Sequence, residues 1–196
     1  MSTSTPKITT LNVWNTRWDL DEASCPCDIH FNEWLAAESI TGKVIFHFGT
    51  GTHHVVGERQ AENGSGNVIL GVTASAEEYD TYIKLALAKP HVAKRYVVYF
   101  GDIYLTDPRL LPALDVVTLF HLCEFFSEST ATPDYGGMTD LQIAELFARK
   151  LRPGGCMLLY TGSFAFDKAQ AVLEICARTE GLTRLGAFKS LLVFGK

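Results

Sequence analysis

The chain has 196 residues, of which 47% are hydrophobic and 20% are charged, and its net charge at pH 7 is −5. This composition excludes an intrinsically disordered chain and a low-complexity fibre, because it supplies enough apolar surface for a buried core. The acidic balance argues against a nucleic-acid-binding surface, which needs clustered lysine and arginine. We therefore expect one folded domain that binds no nucleic acid.

The cysteines and the N-terminal residues indicate the compartment. The five cysteines are few and scattered, which argues against a disulfide framework. The Ser/Thr-rich start of the chain is followed by no apolar segment of the kind found in signal peptides. No apolar run approaches the roughly 18 residues of a membrane span. These features predict a reduced, cytoplasmic protein that makes no membrane contact.

Short apolar runs alternate with helix-length patterns from residue 43 to the end of the chain. The predicted strands are residues 44–48, 68–72, 96–100, 116–120 and 157–160, followed by a C-terminal hairpin of residues 182–188 and 190–194. Unbroken apolar runs are typical of strands that are buried on both faces of a parallel sheet. The alternation predicts a doubly wound α/β fold, with a mostly parallel, seven-stranded Rossmann-like sheet, an antiparallel C-terminal strand and helices on both faces.

Two helix starts carry the spacing of a capping box, Ser75 with Glu78 and Thr139 with Gln142. The first predicts a helix to Lys89, and the second a helix that stops at residues 153–155. A further helix is expected to begin at Asp167.

Residues 1–42 lie outside the alternation, so we divide the chain into an N-terminal helical or lid segment, 1–42, and an α/β domain, 43–196. The segment contains all three tryptophans, Trp14, Trp18 and Trp34, which could line an acceptor pocket or pack in the core. A helix is expected near residues 29–37, over one end of the sheet. The loop at residues 127–138 could be a lid or a solvated connection.

In open α/β sheets, ligands bind outside the carboxyl ends of the strands. Five segments at or near these ends resemble, in order and spacing, motifs of the class I S-adenosylmethionine (SAM)-dependent methyltransferases. They are residues 44–53 (VIFHFGTGTH), 69–75 (ILGVTAS), 101–103 (GDI), 114–124 (LDVVTLFHLCE) and 151–155 (LRPGG). The resemblance extends from Lys43 to Lys196 and implies a SAM cofactor and methyl transfer.

The resemblance also implies which residues contact the cofactor: His47, Gly49, Gly51, His53, Thr73, Asp102, Ile103 and Phe120. Three of them depart from the family pattern, which has an acidic residue at position 47, a third glycine at 53 and a carboxylate at 73. Charge-assisted hydrogen bonds contribute roughly 1.5–3 kcal/mol each, so losing the carboxylate at 73 could weaken binding about ten- to a hundredfold. Glu77 or Glu78 could partly replace it, or could simply interact with the helix dipole.

His121 and Glu124 are the candidate catalytic residues. They are three residues apart after the fourth strand and, in a helix, would share a face, where either could act as general base towards an acceptor. The alternative is a solvated Glu124 and a His121 that lines the adenine. Methyl transfer from a sulfonium needs little acid–base help, since positioning can supply most of the acceleration.

No metal site is predicted, although two groups of residues were considered. His47, His53, His54 and His121 could be ligands of a metal hydrolase or lyase on the same fold. Cys25 and Cys27 are closer in sequence than the ligands of the usual structural zinc loop, and no second cysteine pair completes a site. Asp28 as the N-cap of the following helix is the simpler interpretation of that segment.

The sequence thus favours a SAM-dependent methyltransferase that acts on a small-molecule acceptor and could form a homodimer. A small acceptor is favoured because the core leaves only residues 1–42 to specialise the chain. The alternative is a methyltransferase-like pseudoenzyme, with weakened or lost SAM binding, that acts as a binding or regulatory partner.

Overall fold

The computed structural model describes residues 17–126 and 136–196. The strands are β1 (Val44–Phe48), β2 (Val68–Thr73), β3 (Tyr96–Phe100), β4 (Leu114–Thr118), β5 (Leu151–Tyr160), β6 (Thr183–Phe188) and β7 (Leu191–Gly195). The helices are α1 (Cys27–Ala37), α2 (Val55–Glu62), α3 (Ala76–Ala88), α4 (Asp140–Lys150) and α5 (Phe166–Glu180). Trp14 and most of the loop predicted as a lid lie outside the described residues.

The strands form one sheet in the order β3-β2-β1-β4-β5-β7-β6. The neighbours from β3 to β5 are parallel, and β7 is antiparallel to both β5 and β6. The predicted α/β fold, with its seven-stranded, mostly parallel sheet and antiparallel last strand, is confirmed. Within the described residues, no helix is long and apolar enough to cross a membrane.

The ends of several elements follow from local chemistry. The Ser75 hydroxyl accepts a hydrogen bond from the Glu78 backbone N–H and begins α3. Thr139 and Gln142 form the predicted capping box of α4. The predicted stop of α4 at residues 153–155 is wrong, because the helix ends at Lys150 and these residues already belong to β5. The start predicted for α5 at Asp167 is shifted by one residue, to Phe166.

Apolar side chains cover the sheet on both faces, as the unbroken strand patterns predict. On one face Phe46 packs against Phe147 of α4, with ring centroids 4.3 Å apart. On the other face Phe31 of α1 packs edge-to-face on Phe120. The edge strand β3 is less covered, and Val97 is 45% exposed.

The contact between α2 and β3 gives a stability prediction. Gly57 of α2 lies on the ring of Tyr96, which a Cβ at position 57 would overlap. Tyr96 is fully buried and its hydroxyl is hydrogen-bonded to His54 Nδ1 at 2.9 Å, so the ring has little room to move. Overpacking of this kind costs about 1–3 kcal/mol. We expect Gly57→Ala to lower the free energy of unfolding by that amount in urea titrations, and an unchanged midpoint would contradict the packing described.

Candidate functional site

A cleft lies at the carboxyl edge of the parallel strands and contains about 880 Å³ of empty space, part of it open to solvent. Most of the predicted site residues line it: Gly49, Gly51, His53, Thr73, Asp102, Ile103 and His121. The turns after β1, β2, β3 and β4 supply them, as the rule for open α/β sheets requires. The segment before α1 and its first turn close another side of the cleft, through Trp18, Cys25 and Asp28 among others.

The turn after β1 needs its glycines. Gly49 has φ 82° and Gly51 has φ 57°, both in the left-handed region that glycine adopts without strain. A Cβ at Gly51 would collide with the His53 ring. Both glycines line the cleft, so this turn forms part of its wall.

His47 lies behind the cleft wall and is 1% exposed. Its Nδ1 is hydrogen-bonded to Thr118 Oγ1 on the neighbouring strand at 2.8 Å. Its Nε2 lies 3.5 Å from Asp28 Oδ1, an ion-pair distance that is long for a hydrogen bond. Phe120 is 1% exposed and packs edge-on against the His47 ring. The structure thus places both His47 and Phe120 outside the lining of the cleft, in which sequence analysis expected them.

Asp28 supplies the carboxylate that position 47 lacks. It lines the cleft from the first turn of α1, and its Oδ2 is also 3.7 Å from His53 Nε2. Burial raises the pKa of Asp28, but His47 and then His53 outweigh this effect and hold the pKa below its usual value. The predicted N-cap role of Asp28 is wrong, since α1 begins at Cys27 after Pro26 and has no side-chain cap.

Glu78 supplies a second carboxylate, at the end of β2. Thr73 Oγ1 donates to Glu78 Oε2 at 2.7 Å, and Thr50 Oγ1 donates to the same atom at 3.4 Å. The nearby backbone N–H of Trp18, like the two hydroxyls, lowers the pKa of this carboxyl group. Burial outweighs these hydrogen bonds and raises the pKa of Glu78.

Glu77, next to Glu78 in the sequence, lies outside the cleft. Its carboxylate is exposed and pairs with Arg17 at 2.8 Å. Of the two glutamates that sequence analysis considered, only Glu78 lines the cleft.

His121 and Glu124 are joined, but not in a helix. Residues 121–125 form turns, so the predicted shared helical face is wrong. The turns nevertheless bring His121 Nδ1 to 3.1 Å from Glu124 Oε2, and Ser163 Oγ donates to Glu124 Oε1 at 2.6 Å. Glu124 does not line the cleft; it is part-buried behind His121 rather than solvated, and the histidine ring faces the cleft.

Cys25 joins this pair and was not predicted as a site residue. Its Sγ lies within 4.8 Å of a ring nitrogen of His121 and 3.6 Å from Cys27 Sγ. Hydrogen bonds from Cys27 and then from His121 lower the pKa of Cys25. Burial lowers the pKa of His121, but its hydrogen bonds with Cys25 and Glu124 outweigh burial and raise the pKa to about 10.

His54 takes no part in the cleft. Its Nδ1 is hydrogen-bonded to the Tyr96 hydroxyl and its Nε2 to the Glu78 carbonyl and the Thr81 hydroxyl. Burial lowers the pKa of His54 to about 4. The four histidines that could form a metal site are thus separated: His47 and His53 lie beside Asp28, His54 is bonded to Tyr96, and His121 is bonded to Glu124.

No protein-family model matches the chain, and no curated protein matches it. Solved structures do. The cyclase SpnF matches 89% of the chain with a TM-score of 0.57 at 16% identity. A precorrin-6y C5,15-methyltransferase from Geobacter metallireducens matches 91% of the chain, with a TM-score of 0.59 at 14% identity. An O-methyltransferase family protein from Burkholderia thailandensis matches 84% of the chain, with a TM-score of 0.56 at 13% identity. The chain has the fold of the class I SAM-dependent methyltransferases.

The methyltransferase fold is present here in a short form. The chain spans 65% of the length of the cyclase and 55% of the O-methyltransferase family protein, but 93% of the precorrin methyltransferase. At these identities the likeness establishes the fold alone, and the activity must be argued from the site.

The residues of this methyltransferase fold suit SAM. The glycine turn lines the cleft, Glu78 offers a buried acceptor where ribose hydroxyls are expected, and Asp102 stands at the position expected for adenine. Asp28 offers a negative charge near the glycine turn, which suits an ammonium group. Bound SAM would bring an activated methyl group into the cleft.

The N-terminal segment covers the glycine turn of the methyltransferase fold. The Thr52 backbone N–H donates to the Trp18 carbonyl at 2.8 Å, and Thr52 Oγ1 donates to Asp19 Oδ1 at 2.6 Å. Trp18 packs edge-to-face on Phe125, while Trp34 is buried in the core. Trp18 therefore lines the cleft, and Trp34 packs in the core.

Proposed function

We propose that this protein is a SAM-dependent methyltransferase that acts on a small-molecule acceptor. The observation that carries the proposal is the buried Glu78 carboxylate, held by Thr73 at the end of β2 and lining the cleft. The sequence lacks a carboxylate at position 73, but Glu78 of α3 brings one next to Thr73. Burial of a carboxylate is costly unless hydrogen-bond donors surround it, so a ligand with hydroxyl donors would be a favourable occupant.

A small acceptor is supported by the cover over the cleft. Trp18 and Phe125, with ring centroids 5.7 Å apart, form an apolar wall beside the cofactor position. The segment that carries Trp18 is tied to the glycine turn through Thr52, which leaves a lined pocket rather than an open platform. His121 contacts the acceptor from the β4 side in this proposal, and Glu124 is a positioning residue that orients its ring.

Calorimetric titration with SAM and S-adenosylhomocysteine tests the proposal. We expect binding with a dissociation constant on the order of micromolar, accompanied by a rise in the melting temperature. The absence of both heat and thermal shift at millimolar ligand would contradict it.

The alternative function is a methyltransferase-like binding or regulatory protein with weakened or lost SAM binding. One observation favours it: Glu78 Oε2 already accepts hydrogen bonds from Thr73 and Thr50. A carboxylate has about four acceptor sites, so ribose hydroxyls would be left with those of Oε1 unless they displace a threonine hydroxyl. The similarity to a cyclase also shows that this fold is not confined to methyl transfer. Micromolar binding of either ligand in the titration above would exclude this alternative.

A further inference from the structure

Two thiols and one imidazole from distant parts of the chain meet in the wall of the cleft. Cys25 and Cys27 flank Pro26 at the start of α1, and His121 follows β4. One ligand atom from each of the three lies within 4.8 Å of the other two. All three residues line the cleft, so an ion held between them would be open to it.

The separation of the two sulfurs suits a shared metal ion. The Cys25 and Cys27 Sγ atoms are 3.6 Å apart. Two thiolates on one tetrahedral zinc, each about 2.3 Å from the ion, are about 3.8 Å apart. A Cys-x-Cys pair is therefore able to occupy one edge of a zinc tetrahedron here without rearrangement of the backbone.

His121 is oriented in the way that metal-bound histidines are. Its Nδ1 is hydrogen-bonded to the Glu124 carboxylate at 3.1 Å, and Ser163 Oγ holds the other carboxylate oxygen at 2.6 Å. This leaves Nε2 as the ring nitrogen for the thiols. A carboxylate behind the histidine fixes its tautomer and orientation and is a common partner of zinc ligands.

The cysteines are held in place by their own segment. Asp21 accepts hydrogen bonds from the backbone N–H groups of Ala23 and Ser24 through Oδ1, and from that of Cys25 through its carbonyl. The Tyr160 hydroxyl donates to the Ser24 carbonyl at 3.2 Å. The ligand set is thus already assembled before any ion enters, which lowers the entropic cost of binding.

We propose that Cys25, Cys27 and His121 bind one zinc ion, with a fourth coordination position open to the cleft. Soft thiolates with imidazole select zinc over magnesium, calcium or manganese. Three protein ligands with an open position are the arrangement of catalytic zinc sites, whereas structural sites have four. The predicted absence of a metal followed from the missing second cysteine pair, and His121 takes its place.

The first test is the metal content of the wild-type protein. Protein expressed with added zinc, with no polyhistidine tag, and desalted should contain about one equivalent of zinc per chain. Replacement by Co²⁺ should give the ligand-field bands of a tetrahedral site together with thiolate-to-cobalt charge transfer. Both readouts are independent of any enzymatic activity, and neither requires a variant to fold.

Variants then assign the ligands. Cys25→Ser, Cys27→Ser and His121→Ala should each abolish the thiolate–cobalt spectrum or reduce bound zinc to a small fraction of an equivalent. Cys156→Ser is the matched control, because Cys156 is a half-buried thiol of β5 that does not line the cleft, and it should retain full zinc. Glu124→Gln should keep the spectrum but weaken zinc affinity about 10–100-fold.

The proposal would be overturned by wild-type protein that remains free of zinc in excess zinc, by a cobalt complex without thiolate charge transfer, or by full zinc retention in the Cys25→Ser/Cys27→Ser double variant. A Cys25–Cys27 disulfide in protein prepared with reductant, seen as loss of the two thiol hydrogens by mass, would also overturn it. SAM binding is measured separately on chelator-treated protein, so failure of either proposal is recognised independently. While zinc is bound, His121 is a ligand and not a base.

Discussion

Glu78→Gln should weaken the binding of S-adenosylhomocysteine about ten- to a hundredfold, because a hydrogen bond to a charged acceptor is worth roughly 1.5–3 kcal/mol. The amide keeps one oxygen for the Thr73 hydroxyl, which donates to Glu78 at 2.7 Å in the wild type. It has no second equivalent acceptor for the ribose. Calorimetric titration of the variant beside the wild type measures the change.

Glu77→Gln is the control for this substitution. Glu77 is the neighbouring residue and is exposed, with Arg17 as its ion-pair partner, so ligand affinity should stay within about twofold of the wild type. Equal affinity losses in the two variants would contradict the role given to Glu78.

The stability of Glu78→Gln should move in the direction opposite to its affinity. Burial raises the pKa of Glu78 in the folded state. A carboxyl group with a raised folded pKa favours folding at pH values below its unfolded pKa, and this contribution is lost as pH rises through the folded pKa. Glutamine removes that loss, so the variant should be at least as stable as the wild type at pH 7. Reduced binding by a variant that is not destabilised would then be a property of the site.

The double variant His47→Asp/Thr73→Asp should be strongly destabilised rather than gain a cofactor site. It places the acidic residues of the family pattern at both positions, but Asp28 and Glu78 already occupy those places. His47 Nε2 is 3.5 Å from Asp28 and Thr73 Oγ1 is 2.7 Å from Glu78. Each substitution therefore removes a partner and buries a like charge beside the carboxylate. We expect a loss of at least about 3 kcal/mol in the free energy of unfolding in urea.

His47→Gln/Thr73→Ser is the corresponding control, since both side chains keep a hydrogen-bonding group without adding charge. It should lose less than half as much stability as the acidic pair. If the acidic pair instead proved as stable as the wild type and bound SAM more tightly, Asp28 and Glu78 would not be the substitutes we describe.

The sequence predicts the fold well because the sheet is encoded locally. Each parallel strand is an unbroken apolar run, and the capping residues Ser75 and Thr139 begin α3 and α4 as expected. The turns predicted after the strands also identify the edge of the sheet at which the cleft lies. The helix assumed for His121 and Glu124 was wrong because the chain turns sharply there, with Cys123 at φ 71°.

The parts of the site that were missed depend on contacts between distant residues. Asp28 reaches His47 only because α1 packs across β1, and Cys25 reaches His121 for the same reason. Glu78 was considered, but its position in the sequence is equally consistent with a helix-dipole role, and only the fold shows that it turns inwards. The Cys25–Cys27 pair is visible in the sequence, but its spacing argues against a zinc loop, and only the fold brings His121 to it.

The segment from Arg17 to Asp28 brings an indole, two thiols and three carboxylates to the cleft, yet it belongs to no strand and includes only the first turn of one helix. It is nevertheless anchored to the sheet by buried contacts, since Asp28 pairs with His47 and Cys27 packs in the core. The chemistry proposed for the cleft is therefore divided between two parts of the chain, because this stretch supplies the thiols while the elements that follow β2 and β4 supply Glu78 and His121, and grafting the stretch alone would not transplant it.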